Sequence, residues 1–271
     1  MSDPGIPSPT PETPMTALRL GDREVARIGL GTNRLTDAPD HVSFVRAAVA
    51  AGIGLIDTAH LYTGGRSEAA IGEAFGGGAT EPRPLIATKG GFEPGEGRPD
   101  VLRGQIEESL RRLRAETIDL YYLHRVDPQT PLEDSLGAIR RAVDEGLVRL
   151  VGLSQVGVEE IERGRRVVPI AAVQNHYSLR ERGFDPVVDH CAREGIVFVP
   201  FFPLRDVRNH TLERVAEARG ATPEQVALAW LLRRSPAMLP IPGTLSLAHV
   251  RENLGALDLE LTAEERASLA S

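Results

Sequence analysis

Short apolar runs alternate with helical patterns along most of the 271 residues. Each run is continuously apolar, which is typical of strands that are buried on both faces of a parallel sheet. Eight strands, each followed by a helix, within about 250 residues predict a (β/α)8 TIM barrel of the α/β class. Five or six strands would instead have favoured a doubly wound sheet. The eight runs lie at 28–31, 54–57, 85–89, 118–124, 150–154, 171–175, 196–201 and 238–241.

Helical patterns fill the segments between the strands. Two helices beyond the eightfold alternation are expected, one of them at 223–234, where Thr222 supplies a cap and Pro223 opens the first turn. A short N-terminal β-hairpin is expected around Gly21-Asp22. Residues 1–16, which are rich in proline, predict a disordered tail before one barrel domain at 17–271. The other helices are predicted at 39–51, 67–75, 99–113, 132–145, 158–163, 185–194, 212–219 and 247–254.

Composition excludes several classes of protein. Acidic residues outnumber basic ones by 38 to 31, so the formal net charge is −7 and a nucleic-acid partner is not expected. One cysteine, Cys191, allows no internal disulfide and excludes four-cysteine and Cys2His2 zinc sites, and no metal site is expected. No apolar run approaches about 18 residues, and the first residues lack the pattern of a secretory signal. We therefore expect no membrane segment and a cytoplasmic location.

Lys89 is the only lysine among 31 basic residues. If a coding bias toward arginine explains this count, Lys89 is a surface lysine that remains by chance. A compact ammonium group whose pKa shifts readily is also what a tuned site needs. Lys89 ends the third apolar run, and in a (β/α)8 barrel the C-terminal ends of the strands carry the active site. Asp57 and His124 end two other runs, so these three side chains are expected to meet.

Tyr62 lies five residues after Asp57, in the loop over the barrel mouth. Asp57 would pair with a buried Lys89, and the ammonium group would stabilise the tyrosine anion, so that Tyr62 could act as a general acid. His124 could donate a hydrogen bond to a carbonyl oxygen. Taken singly, Asp57 could be a cap, Tyr62 and His124 could be packing residues, and Lys89 could form a Schiff base. Together the four predict a site that polarises and protonates a carbonyl group.

Longer stretches around these residues resemble the aldo-keto reductase superfamily over residues 17–270. They include GLGTNRL at 29–35, LIDTAHLYTGGRSEAAIGEAF at 55–75, LIATKGGF at 85–92, DLYYLHRVDP at 119–128 and LPIPGTLSLAHVRENLGAL at 239–257. The resemblance matches Asp57, Tyr62, Lys89 and His124 to the catalytic tetrad of the family, with all four intact. Within the superfamily, HRVDP and IPGT are most similar to bacterial oxidoreductases related to pyridoxal reductase.

The resemblance implies a nicotinamide cofactor, usually NADPH, that lies extended across the barrel mouth without a Rossmann unit. The sequence agrees, because Arg34 stands at the third glycine position of the GxG that begins at Gly29. The family pattern implies that Ser154 and Gln174 hold the carboxamide and that Phe201 stacks on the nicotinamide ring. Gly243, Thr244, His249, Glu252 and Asn253 match the adenosine and 2′-phosphate site. The other implied cofactor contacts are Gly31, Thr32, Asn33, Asp57, Gln155, Phe202, Leu204, Arg205, Ile241 and Arg251.

The chain departs from the family pattern at several places. Gln155 replaces the usual asparagine, Gly243 a common phosphate-binding lysine, and His249 a common arginine. Arg251 could supply the positive charge that is missing at these positions. The changes nevertheless make NADH possible as the cofactor, as well as NADPH. The segment after Leu204 is short, so Arg205 and Arg208 would have to supply any pyrophosphate clamp. The long C-terminal loop of many members is missing, which predicts an open pocket.

These observations predict an enzyme that reduces an aldehyde or ketone to an alcohol with NAD(P)H, with Tyr62 as the general acid. The expected partner is a small carbonyl substrate, and the protein is expected to be a monomer or a weak homo-oligomer. Two alternatives stay open at this point. One is a cofactor-binding regulatory subunit of another protein, and the other is a Schiff-base lyase that uses Lys89.

Overall fold

A computed structural model describes residues 16–78 and 83–270. It begins with an antiparallel hairpin of β1, Ala17–Leu20, and β2, Arg23–Ala26. Leu18, Leu20 and Val25 of this hairpin share one apolar cluster with residues of the barrel strands. The hairpin therefore covers one end of the barrel interior. The tail predicted for residues 1–16 lies outside the described residues except for Thr16, whose carbonyl oxygen accepts a hydrogen bond from Arg27 N at 3.0 Å.

Seven parallel strands follow in strict sequence order within one sheet. Their continuous apolar sequences fit the burial of every residue of β5 and β6. The strands are β3, Leu30–Gly31; β4, Leu55–Asp57; β5, Leu85–Gly90; β6, Ile118–Leu123; β7, Val148–Ser154; β8, Ile170–Gln174; and β9, Val197–Phe198. The last of these is shorter than the predicted run at 196–201, where Pro200 has no N–H to donate to a strand ladder.

The eighth apolar run closes the barrel. On one side of it, Phe198 N donates to Ala237 O at 2.8 Å, and Leu239 N donates to Phe198 O at 2.9 Å. On the other side, Gly29 N donates to Pro240 O at 3.0 Å. The segment 237–243, which we call the closing segment, thus joins the last strand to the first. The (β/α)8 barrel predicted from the eight apolar runs is confirmed.

Ten α-helices lie in the part of the chain that the structure describes, two more than the eightfold alternation requires. They are α1, Pro39–Ala50; α2, Arg66–Phe75; α3, Pro99–Leu113; α4, Leu132–Asp144; α5, Val158–Arg165; α6, Asp185–Glu194; α7, His210–Arg219; α8, Pro223–Arg234; α9, Leu247–Gly255; and α10, Ala263–Leu269. Most bounds agree with the predicted ranges within two residues. Within the described ranges, no helix is both long and apolar enough to cross a bilayer.

Side-chain caps set the starts of three helices, α7, α8 and α10. Asn209 Oδ1 accepts from Leu212 N at 2.8 Å, so α7 begins two residues before the predicted start. Thr222 and Gln225 form the capping box of α8, as its sequence predicted. No range was predicted for the second extra helix, which is α10. Thr262 and Glu265 form the same kind of capping box at its start.

Candidate active site

Asp57 and Lys89 form a buried ion pair at the C-terminal ends of adjacent strands. The side chain of Lys89 is 0% exposed and that of Asp57 is 2% exposed. Lys89 Nζ donates to Asp57 Oδ1 at 2.6 Å and to the Thr58 carbonyl oxygen at 2.7 Å. Gln174 Nε2, from the end of β8, donates to Asp57 Oδ2 at 2.8 Å. Both oxygens of the carboxylate are satisfied, so the pair is held in one geometry.

The surroundings of Lys89 keep its side chain protonated. Burial alone would lower its pKa, but the Asp57 carboxylate and the neighbouring Tyr62 outweigh burial and raise the pKa above its ordinary value. Burial raises the pKa of Asp57, and the bonds from Lys89 and Gln174 offset part of that effect. An ammonium cation is thus fixed in the barrel interior, below the mouth.

Tyr62 is held above this cation by a sharp 3-10 turn, Tyr62–Gly65, that follows β4. The Thr63 hydroxyl donates to Leu35 O at 2.7 Å and ties the turn to the loop after β3. Gly65 has φ 88, a left-handed conformation that favours glycine over residues with a side chain. Lys89 Nζ lies 5.0 Å from the centroid of the Tyr62 ring. The phenol therefore lies directly beside the lysine ammonium group.

His124 completes the cluster as a neutral imidazole. Its ring meets the Tyr62 ring edge to face, with centroids 6.1 Å apart, and the Phe92 ring packs against it at a tilt, with centroids 4.8 Å apart. Burial, followed by the charges of Lys89 and Arg125, lowers the pKa of His124 to about 2. Because a neutral imidazole has one N–H, His124 can donate a hydrogen bond to a ligand but cannot serve as its cationic acid at ordinary pH.

The low pKa of His124 predicts a pH-dependent stability. The unfolded chain binds a proton at this histidine below pH 6.5, whereas the folded protein does not, so stability falls as the pH drops through that value. Between pH 6.5 and pH 5, His124 should lower the free energy of unfolding by about 1.5 kcal/mol. Urea unfolding at both pH values should show this loss in the wild type and a correspondingly smaller loss in His124→Asn. Equal losses in the two proteins would contradict the assignment.

A cavity of about 280 Å³ lies directly over this cluster. Its walls include Tyr62 and His124 together with ten of the residues predicted to bind cofactor. Those ten are Gly31, Thr32, Asn33, Asp57, Ser154, Gln174, Phe201, Phe202, Ile241 and Gly243. One face of the Phe201 ring is stacked on His176, with centroids 5.5 Å apart. The strand ends of both halves of the barrel thus contribute to one chamber.

Two further cavities adjoin the first at Gly243. The larger, about 440 Å³, lies at the N-terminus of α9 and is lined by Leu204, Thr244, His249, Glu252 and Asn253. The smaller, about 330 Å³, includes Leu204 and Arg205, and the Arg205 guanidinium lies 3.7 Å from the centroid of the Phe202 ring. Glu252 Oε1 accepts from the Thr222 hydroxyl at 2.7 Å. The three cavities form a groove from the cluster to α9.

Two of the residues predicted to bind cofactor, Gln155 and Arg251, line none of these three cavities. Gln155 has φ 56, and its Oε1 accepts from His176 N at 2.7 Å, so its amide oxygen is committed to the backbone. Arg251 is exposed on α9. Conversely, three residues that line the first cavity were not predicted as site residues: Leu61, Phe92 and Arg125. The only signal for Arg125 was its place directly after His124.

Comparison with known proteins identifies the family. The model of the aldo/keto reductase family matches residues 27–206 and 205–271. The chain belongs to this family. The resemblance identified in the sequence is thereby confirmed, and this aldo/keto reductase is an oxidoreductase.

Similar proteins come from fungi and bacteria. An uncharacterised oxidoreductase of Schizosaccharomyces pombe is 36% identical over 93% of this chain and 88% of its own length. Pyridoxine 4-dehydrogenase of Escherichia coli is 35% identical over 92% of this chain and 96% of its own length. Among solved structures, an aldo-keto reductase of Klebsiella pneumoniae in complex with NADPH is similar, with a TM-score of 0.85. It is 31% identical, and the match covers 94% of this chain and 93% of that one.

Proposed function

We propose that this aldo/keto reductase reduces an aldehyde or a ketone to the alcohol with NADPH, and that Tyr62 donates the proton. The observation that carries the proposal is the buried Lys89 ammonium, which lies 5.0 Å from the Tyr62 ring and is anchored by Asp57 at 2.6 Å. A fixed cation beneath a phenol favours its ionised form and so favours release of its proton to a bound oxygen.

The chain's own residues then have distinct roles. When bound, reduced nicotinamide would supply the hydride that the carbonyl carbon accepts. Tyr62 gives its hydroxyl proton to the carbonyl oxygen, and the phenolate that remains is stabilised by Lys89 until solvent returns a proton. Neutral His124 donates a hydrogen bond to the same oxygen and orients it. Asp57 holds Lys89 in place, and Gln174 in turn holds Asp57.

The groove fits an extended dinucleotide. Its first cavity offers Ser154 and Gln174 to the carboxamide and Phe201 to the ring face, as the family pattern implies. Gly243 lines both the first cavity and the second, so the two meet at this residue. At the far end Ser246 caps α9, whose first N–H groups and nearby His249 suit a phosphate. The Klebsiella relative is in complex with NADPH, which supports the same cofactor here.

The Schiff-base alternative is disfavoured by the contacts of Lys89. A nucleophilic lysine must lose its proton and reach the substrate. Lys89 is fully buried, donates to Asp57 and Thr58, and has a raised pKa. The geometry therefore favours its role as a fixed charge.

The proposal is tested with the purified protein, NADPH and a panel of uncharged and charged aldehydes and ketones. We expect loss of NADPH absorbance in a one-to-one ratio with the alcohol formed. NADPH binding without turnover of any member of the panel would instead favour a regulatory cofactor-binding role. Absence of binding to both NADPH and NADH would refute the proposal.

Gly243→Lys should sharpen the preference for NADPH. A Cβ at Gly243 would lie 3.4 Å from Gly31 O, an ordinary contact, so a side chain can be added there. By the family pattern, a lysine at this position contacts the 2′-phosphate, and an exposed charge contact should raise NADPH affinity about 3- to 10-fold. NADH affinity should stay unchanged. Fluorescence titration of both cofactors measures the ratio, and Gly243→Gln is the uncharged control, which should not reproduce the gain.

A further inference from the structure

Arg125 is an ordered cation in the wall of the catalytic cavity. It lies two residues after the end of β6, and its backbone N donates to Gly91 O at 3.0 Å. Its Nη1 donates to His124 O at 2.8 Å and to Ser154 Oγ at 3.2 Å. The guanidinium carbon lies 5.3 Å from the centroid of the Phe92 ring. These contacts hold the half-buried side chain beside His124, while the other guanidinium nitrogens remain available to a ligand.

No carboxylate of residues 16–78 or 83–270 forms an ion pair with Arg125. The other charged group in the cavity wall, Asp57, is bonded to Lys89, and His124 is neutral. In the loop after β5, Glu96 Oε2 accepts from Phe92 N and Glu93 N instead. The cavity therefore carries one uncompensated positive charge.

The cost of this arrangement points to a ligand. Burial lowers the pKa of Arg125, because a half-buried guanidinium loses part of its hydration. Removing an unpaired cation from water costs free energy, and pairing with an anion offsets that cost. Around Arg125 the rim is apolar, since Leu61, Phe92 and Phe202 are exposed there. A compact apolar molecule with one negative group would match both features.

We propose that the substrate carries a carboxylate as well as its carbonyl group, and that Arg125 binds this carboxylate. The proposal rests on the carbonyl reduction proposed above. A guanidinium can bind a carboxylate through two parallel N–H···O bonds, which fix its orientation as well as its position. His124 and Arg125 both lie close to one ring, with Phe92 4.8 Å from the His124 ring centroid and 5.3 Å from Arg125 Cζ. A small formyl-carboxylic acid can therefore contact both groups at once.

The test compares two substrates of the same shape, 4-formylbenzoate and its methyl ester. The wild-type protein with NADPH should reduce the acid with a kcat/KM at least about 10-fold above that of the ester. Arg125→Gln should lower this acid-to-ester ratio about 10- to 100-fold, chiefly through KM of the acid. Arg125→Lys, which keeps the charge without the planar fork, should recover part of the ratio.

Arg180→Gln is the matched control. Arg180 is exposed in the loop after β8, lines none of the three cavities, and has no side-chain partner among the described residues. Removing its charge changes the net charge of the protein equally and should leave the ratio within about twofold.

Three outcomes would overturn the inference about Arg125: a wild-type ratio near one, a ratio that Arg125→Gln leaves unchanged, or turnover of uncharged aldehydes but of neither probe. An equal loss for both substrates would assign Arg125 to the chemistry common to them. Failure of the proposed function is distinguishable, because then no aldehyde of any charge is reduced. If Arg125→Gln does not fold, the acid-to-ester ratio of kcat/KM in the wild-type protein still tests the inference.

Discussion

Replacing Tyr62 by phenylalanine removes one oxygen atom and should lower kcat about 10³-fold or more, because the proton must then come from water. The loss should appear in kcat and in kcat/KM alike, as expected when an interaction is made only in the transition state. NADPH affinity should stay within about twofold of wild type, since the phenol lies over Lys89 and not along the groove toward α9. Steady-state kinetics and a fluorescence titration measure the two quantities.

Tyr122→Phe is the control for this experiment. The Tyr122 ring lies 5.9 Å from Lys89 Nζ, nearly as close as the Tyr62 ring, but Tyr122 is fully buried in the barrel interior. Losing the Tyr122 hydroxyl should change kcat by no more than about threefold. Substantial turnover by Tyr62→Phe, or equal losses in the two variants, would refute the role of Tyr62 as proton donor.

Lys89→Met should destabilise the protein and inactivate it together. The change leaves the Asp57 carboxylate buried with only Gln174 as a side-chain partner. Removing one member of a buried pair costs about 3–5 kcal/mol, which for a chain of this size lowers the melting temperature by about 10 °C. Calorimetry gives the stability, and single-turnover NADPH oxidation gives the activity.

The double variant Asp57→Asn, Lys89→Met separates the two effects. An amide at position 57 needs no counterion and can still accept from Gln174, so most of the lost stability should return. Turnover should stay at least about 10³-fold below wild type, because no cation remains beneath Tyr62. Recovery of activity along with stability would show that Lys89 acts only as a structural residue.

Much of the fold and of the catalytic cluster could be predicted from the sequence. Strands buried on both faces must be apolar throughout, so the eight runs located the barrel, and its geometry brings the strand ends together. Lys89 was conspicuous because it is the only lysine, and its position at a strand end placed it near Asp57 and His124. These inferences depend on periodicity and chain order, which one sequence displays directly.

What the sequence could not supply depends on side-chain direction. Arg125 and Gln155 both follow strands, yet Arg125 turns into the cavity while Gln155, at positive φ, bonds to His176 N. Gln174 was assigned to the cofactor by family pattern, and its bond to Asp57 required the register of β8 against β4 across the barrel. Loop conformations and contacts across the barrel are set by packing, which has no local sequence signal.

The closing segment has a consequence for synthesis and turnover of the protein. Residues 237–243 join β9 to β3, and the same stretch supplies Ile241 and Gly243 to the walls of the groove. During translation, this stretch leaves the ribosome after all seven strands of the sheet. Until it does so, the chain has neither a complete barrel of strands nor a complete dinucleotide site. A dinucleotide bound in this groove would contact both the first strand and the closing segment. It would therefore oppose opening of the barrel between them, with a free energy that grows with cofactor concentration. The cellular supply of the dinucleotide would then govern how long the protein survives proteolysis, as well as how fast it works.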